Sequence, residues 1–223
     1  MKRSMYSLIL TDDIIQAIDC LASKQGTSRS NYINQILANH ICFVTPEQRM
    51  QQFFTCLIDQ MERMQGIFRI QEQGSNAILS IFGTVQYRYR PNIRYQIELI
   101  REMQNEIVGQ LKISCRTQSK TLLSAMNDFF QFWIQLEQRE DPTDMRVEEL
   151  YTVRNGRMTR LMLRRGMTDD TVLGEAVGVY IQMFHSILQS YFIGLQNEIP
   201  DFILRHTLTM QYRAMLSQQI QHL

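Results

Sequence analysis

Met5-Tyr6-Ser7-Leu8-Ile9-Leu10, running straight into Thr11-Asp12-Asp13, decides how the front of the chain is read. The apolar run predicts a short strand, and an isolated strand leaves its backbone donors and acceptors unpaired. The following forty residues offer no second strand; two helical periods come instead, separated by Gly26-Thr27-Ser28-Arg29-Ser30. The economical partner is the same segment of a second copy, so that two subunits share a two-stranded ribbon.

The helix signals are explicit. Thr11 is placed to cap a first helix, with Asp12 and Asp13 at the positive end of its dipole. Ile14, Ile15, Ile18, Leu21 and Ala22 form one apolar face, and Gly26 has the character of a left-handed C-cap. Ser28 or Thr27 then caps a second helix, with Tyr32, Ile33, Ile36, Leu37 and His40-Ile41 on its inner side.

In order and spacing, residues 1–41 resemble the ribbon-helix-helix family, the class of Arc and MetJ repressors and CopG-like plasmid proteins; the resemblance covers under a fifth of the chain. It implies an intertwined homodimer that sets paired strands into the major groove of double-stranded DNA. The strand's core face would carry Tyr6, Leu8 and Leu10, and its groove face the base-reading positions Met5, Ser7 and Ile9. Family members usually place polar side chains at all three groove positions. Here only Ser7 is polar; Met5 and Ile9 suit thymine methyls but not guanine or adenine edges. Phosphate binding falls to Ser28, Arg29 and Ser30, where free N–H groups and the helix dipole face outward, with Lys2, Arg3 and Ser4 as a flanking basic arm.

The formal net charge is +1, so nucleic-acid contacts must come from local patches. One is Arg88, Arg90 and Arg94, interleaved with Tyr87, Tyr89 and Tyr95; the simpler account is a loop or strand whose tyrosines pack one way and arginines the other. Arg154, Arg157, Arg160, Arg164 and Arg165 follow the Glu148-Glu149 pair and read as salt-bridged surface. Cys20, Cys42, Cys56 and Cys115 form no C-x-x-C pair, and are expected to be reduced thiols, mostly buried. His40, His185, His206 and His222 have no ligand-spaced neighbours; His185, in the most apolar segment, is expected to be a hydrogen-bonded core residue. With no phosphate-binding glycine loop and no nucleophile elbow, the reading is a non-enzyme without metal or cofactor. The apolar run after Lys2-Arg3 breaks at Asp12-Asp13, too early for a signal peptide, and no charge-free apolar stretch is long enough for a bilayer. A cytoplasmic location without membrane association is expected.

From Thr45 onward the spacing predicts helices only. Thr45-Pro46-Glu47-Gln48 is a capping box with a first-turn proline, opening a helix toward Gly74 with a heptad seam at Met50, Phe54, Leu57, Met61, Met64 and Phe68. Coiled coil and bundle fit that seam equally. A helix is predicted over 92–113, another after Thr117 carrying Leu122, Met126, Phe129, Trp133 and Leu136, one from Asp141-Pro142 toward Tyr151, and a short basic one after Asn155-Gly156. Asp169 or Asp170 opens a long apolar helix through Leu195, and Pro200-Asp201 a terminal one. Ile93, Tyr95, Ile97 and Leu99 also alternate as in a strand. The expected fold is mainly α: a ribbon-helix-helix unit over 1–44, then an all-helical domain over 45–223 for dimerisation or for a protein or small-molecule effector. The expected function is transcriptional regulation as a homodimer, or a higher oligomer of dimers, on DNA. Two rivals are a DNA-transfer or partition accessory of a mobile element, and a helical interaction module whose ribbon only dimerises.

Overall fold

The computed structural model describes residues 7–41, 43–64, 66–72, 76–88, 90–104, 106–140, 147–164 and 169–219. The chain divides into two compact units, Met1–Arg49 and Met50–Leu223.

In the first unit, helix α1 covers Asp12–Lys24 and helix α2 covers Arg29–His40. Their junction follows the turn chemistry read from the sequence. Gly26 is left-handed (φ 62°); its N–H bonds the Ser23 carbonyl at 3.1 Å, and the Thr27 N–H bonds that of Ala22 at 2.9 Å. That double closure is the Schellman motif, which consumes carbonyls a helix end would otherwise leave unpaired. Of the two candidate caps, Ser28 is the one used: its hydroxyl accepts from the Asn31 N–H at 3.3 Å. Thr11 is the N-cap of α1 by backbone geometry, without a side-chain bond. Helix α3, Pro46–Glu62, begins with the expected capping box: Thr45 Oγ1 accepts from the Gln48 N–H at 3.2 Å, and Gln48 Oε1 from the Thr45 N–H at 2.9 Å.

The second unit departs from the all-helical expectation. It holds an antiparallel six-stranded sheet in the order β1-β2-β3-β4-β6-β5. The strands are β1 Phe68–Glu72, β2 Ile78–Thr84, β3 Asn92–Gln104, β4 Ile107–Cys115, β5 Tyr151–Arg154 and β6 Arg157–Leu163. The helix predicted over 92–113 is the β3–β4 hairpin. Period-2 burial wins there because Ile93, Tyr95 and Ile97 share one face with Leu79 and Ile81 of β2 and with Leu111, Ile113 and Cys115 of β4, all buried. The helical spacing of Ile93, Ile97, Ile100 and Leu111 merely coincides with it. Likewise, the basic segment after Asn155-Gly156 is β6, and Asn155 (φ 49°) with Gly156 (φ 71°) form the two-residue turn joining it to β5. Two successive positive φ values are what a type I′ hairpin turn requires, which is why Asn-Gly occupies it. The helix from Asp141-Pro142 falls partly outside the described residues; only α5, Val147–Leu150, precedes β5.

Helix α4 (Lys120–Glu140), helix α6 (Asp170–Gln196, capped by Asp169) and helix α7 (Asp201–Gln219) lie where expected. They pack with α3 and the apolar face of the sheet into a single core. The heptad seam of α3 is therefore satisfied within one chain: Met50, Leu57 and Met61 are buried, the helix stops at Glu62, and Phe68 opens β1 instead of closing a coiled coil. Close approach of α3 to α6 depends on Gly174 and Gly178, one turn apart; a Cβ on Gly174 would meet the Phe53 carbonyl, and one on Gly178 the Gln60 side chain at 2.7 Å. By length and composition α6 could span a bilayer, yet 67% of its apolar window is buried inside the protein. It is the central core helix.

Gly174→Ala should destabilise the fold by about 1–3 kcal/mol through overpacking against backbone that cannot swing aside. Gly178→Ala should cost less, because Gln60 can rotate away. Urea unfolding of the two variants beside the parent checks the order.

Candidate nucleic-acid interface

In the N-terminal unit, Lys2, Arg3 and Met5 lie outside the described residues. Ser7, Leu8, Ile9 and Leu10 are in neither helix nor strand within the single chain. Ser7 and Ile9 are exposed, Ile9 completely. Ser28, Arg29 and Ser30 sit together at the exposed N-terminus of α2, as the sequence placed them. Arg29, however, is not a lone charge. Its Nε donates to Asp19 Oδ1 of α1 at 2.6 Å and its Nη2 to Asp19 Oδ2, a bidentate pair. This pairing raises the arginine's pKa and lowers the aspartate's. A phosphate arriving at α2 meets a guanidinium already engaged, and must share or displace Asp19.

The apolar residues of this unit are conspicuously uncovered. Leu8 is 61%, Leu37 52% and Ile41 71% exposed, with Ile14, Leu21 and Ile36 between 43% and 48%. Within α1 and α2 only Ile18, Ala22 and Ala38 are buried.

The second basic patch resolves into two settings. Tyr87 packs on Phe192 with ring centroids 4.8 Å apart, and Tyr95 is wholly buried, whereas Arg88 and Arg90 are exposed. For Tyr87 and Tyr95 against Arg88 and Arg90, this is the simpler of the two accounts, tyrosines packing one way and arginines the other; Tyr89 lies outside the described residues. The loop carrying them is fixed to α6, where Gln189 Oε1 accepts from the Gln86 N–H at 2.9 Å. Arg94 belongs elsewhere, on the sheet surface facing away from the helices. There it donates to Ser80 Oγ from Nη2 at 3.0 Å and lies 6.0 Å from the centre of the Phe82 ring, which Arg69 approaches at 5.3 Å.

The third cluster is split by the pleat of β6. Arg157 and its cross-strand partner Arg154 are exposed beside the Asn155-Gly156 turn. Arg160 points the opposite way, into the core, and Arg164 pairs with Asp170; Arg165 lies outside the described residues. The carboxylates beside the two inward arginines are Glu137, on α4, for Arg160 and Asp170, six residues along the chain, for Arg164.

Arg160 belongs to a closed polar cluster. Its Nε donates to the Tyr151 hydroxyl at 2.7 Å and stands 3.6 Å from Glu137, while its guanidinium lies 4.5 Å from the Tyr180 ring centre. Tyr151 donates to Glu137 Oε2, and Trp133 Nε1 donates both to Glu137 Oε1 at 2.7 Å and to the Tyr180 hydroxyl at 2.8 Å. Burial drives the Tyr151 phenol well above its ordinary pKa, with Arg160 pulling the other way. These groups are spent on one another, which suits a structural tie between α4, α6 and the sheet.

His185 is the hydrogen-bonded core residue the sequence suggested: Nδ1 lies 2.9 Å from the Tyr95 hydroxyl, and the ring packs on Phe68. Burial pushes its pKa down from 6.5 to about 4, against a backbone hydrogen bond at Thr84 that favours the charged ring. Of the cysteines, Cys115 is buried, Cys56 partly so and Cys20 exposed; Cys42 lies outside the described residues. Among the described residues no cluster of three His, Cys, Asp or Glu side chains could hold a metal ion.

Compared with protein-family models, with curated proteins and with solved structures, the chain matches none.

Two stability outcomes follow. The unfolded chain takes up a proton on His185 that the folded protein excludes, so stability falls as pH drops below 6.5, by about 2 kcal/mol between pH 6.5 and pH 5. Urea titrations should show this slope shrinking in His185→Gln. Glu137→Leu should cost about 3–5 kcal/mol by stranding the Arg160 charge, and adding Arg160→Met should restore much of the loss.

Proposed function

We propose that the chain is a homodimeric DNA-binding protein whose residues 1–44 form a ribbon-helix-helix unit, and that it acts as an intracellular transcriptional regulator. The observation that carries this reading is the uncovered apolar surface of the N-terminal unit. A helix pair that leaves Leu8, Leu21, Ile36, Leu37 and Ile41 open to water lacks a core of its own. A second copy, bringing an identical face and an identical extended segment, supplies both the apolar cover and the missing strand partner. The Schellman turn and the Ser28 cap then hold two α2 N-termini where a duplex backbone would pass.

One observation favours the interaction-module alternative. Arg29 is neutralised by Asp19, and Ile9 is apolar at a base-reading position. The two readings separate on DNA. Under the regulator reading, a mobility shift at fixed salt retards the gene's own upstream duplex more strongly than a random duplex. Arg29→Gln weakens binding to all sequences alike and lowers the log–log salt slope by about one. Asp19→Asn, which frees the guanidinium, strengthens it. Leu37→Glu yields monomers by sedimentation and abolishes the shift. A parent protein that is monomeric at micromolar concentration, or that retards its own upstream DNA no more than random sequence, overturns the proposal.

A further inference from the structure

We propose that the solvent-side face of the six-stranded sheet is a second nucleic-acid surface, built to hold single-stranded DNA. The strand register aligns Arg69, Phe82, Arg94, Ser114, Arg157 and Arg154 in one row across all six strands, each paired with the next. With neighbouring strands about 4.8 Å apart, the row spans about 24 Å. The adjacent row, Gln71, Ser80, Gln96, Lys112, Thr159 and Thr152, is polar throughout.

The charge on this face is one-sided. Across the two rows and the neighbouring Glu98–Gln110 pair, the bases are Arg69, Arg94, Lys112, Arg154 and Arg157, and the acid is Glu98. Glu98 is already committed: burial would raise its pKa, but hydrogen bonds from Lys112 (2.7 Å), Gln110 (2.6 Å) and Gln96 hold it lowered. Among the described residues, none of the four arginines of the row makes an ion pair. Arg94 bonds a neutral hydroxyl, and Arg154 stands directly opposite Arg157. Like charges so placed weaken a strand pair, a cost that an anion lying between them removes.

Shape and chemistry select the occupant. A face some 24 Å broad cannot enter a duplex groove about 12 Å wide. A single strand can lie across it, with phosphates on the guanidinium row and bases stacked on Phe82 and on the arginine planes. Arg88 and Arg90, exposed on the β2–β3 loop, leave the sheet at the end where this row lies. The choice of DNA over RNA rests on the function proposed above; the single-strand surface itself does not.

Fluorescence anisotropy of labelled dT20 with the full-length protein at fixed salt tests it. The parent should bind dT20, and Arg69→Gln/Arg94→Gln/Arg157→Gln should bind at least tenfold more weakly, with the salt slope smaller by about two. Retardation of the upstream duplex should be unchanged in that variant, while Arg29→Gln should weaken duplex retardation and leave dT20 affinity unchanged. A second variant confined to the exposed turn, Arg154→Glu/Arg157→Glu, should also lose dT20 and covers the case in which the triple variant unfolds. Tighter binding of U20 RNA than of dT20 overturns the assignment to DNA. Equal binding of polyglutamate, or dT20 affinity unmoved by either folded variant, overturns the surface altogether. Should dT20 bind and respond to both variants while the upstream duplex is not retarded, this inference stands and the regulator reading fails.

Discussion

Helix α6 is apolar on almost every side, and a helix of that kind must be covered on every side. Most of the second unit is that cover. Beneath it, His185 meets Tyr95 and Phe68 of the sheet. Along one flank α3 approaches at Gly174 and Gly178; along another, Phe129, Phe130 and Trp133 of α4 surround Phe184, Trp133 at 4.7 Å between ring centres. From α7, Tyr212 reaches Trp133 at 5.4 Å and Gln211 bonds Ser186. Because these helices gather about α6, they share the side of the sheet that α6 occupies. The polar, arginine-bearing face of the sheet is a consequence of where the helices had to go.

How far the sequence disclosed this depended on whether a signal was local. Caps are local: Ser28, Thr45 with Gln48, Asp169 and the glycine turn at Gly26 all act through bonds within a few residues, and all were legible. Burial of a strand is not local. Ile93, Tyr95 and Ile97 become a strand because β2 and β4 present apolar partners from elsewhere in the chain, and the helical spacing of Ile93, Ile97 and Ile100 competed with that alternation. Two short signals in the sequence favour strands. Asn155-Gly156 between alternating residues marks a two-residue hairpin, and Phe68-Arg69-Ile70-Gln71 alternates after a helix of opposite periodicity. The first places Arg154 opposite Arg157 and the second puts Arg69 on the face away from Phe68 and Ile70, but the row that joins them runs through β2, β3 and β4 and is not local.

The two units meet the same physical demand in opposite ways. The second unit buries its apolar residues within one chain, while the first leaves most of its own uncovered. If two copies associate as proposed, association adds most where the single chain is least complete, and the order of the extended segment at Ser7–Leu10 becomes coupled to protein concentration. On the functional reading, dimer assembly and formation of the reading element are one event, so a ribbon competent for a duplex does not precede the dimer.

Pairing of charges across the chain separates structural arginines from the remainder. Arg160 and Arg164 are inside or partly inside, and each has a carboxylate within reach, Glu137 and Asp170, as buried charge requires. Arg29 is exposed and paired, although exposure alone would not demand it. Arg69, Arg94, Arg154 and Arg157 are on a surface where acidic neighbours would have been easy to place, and the register puts Ser114, Phe82 or another arginine beside them instead. Arg69 and Arg94 have the Phe82 ring, and Arg94 the Ser80 hydroxyl, in place of a carboxylate, while the like charges of Arg154 and Arg157 face each other and weaken their strand pair. On the single-strand proposal, this row of four guanidiniums with no carboxylate paired to them among the described residues, on a chain whose total charge is only +1, is the local excess of positive charge that a phosphate backbone would balance.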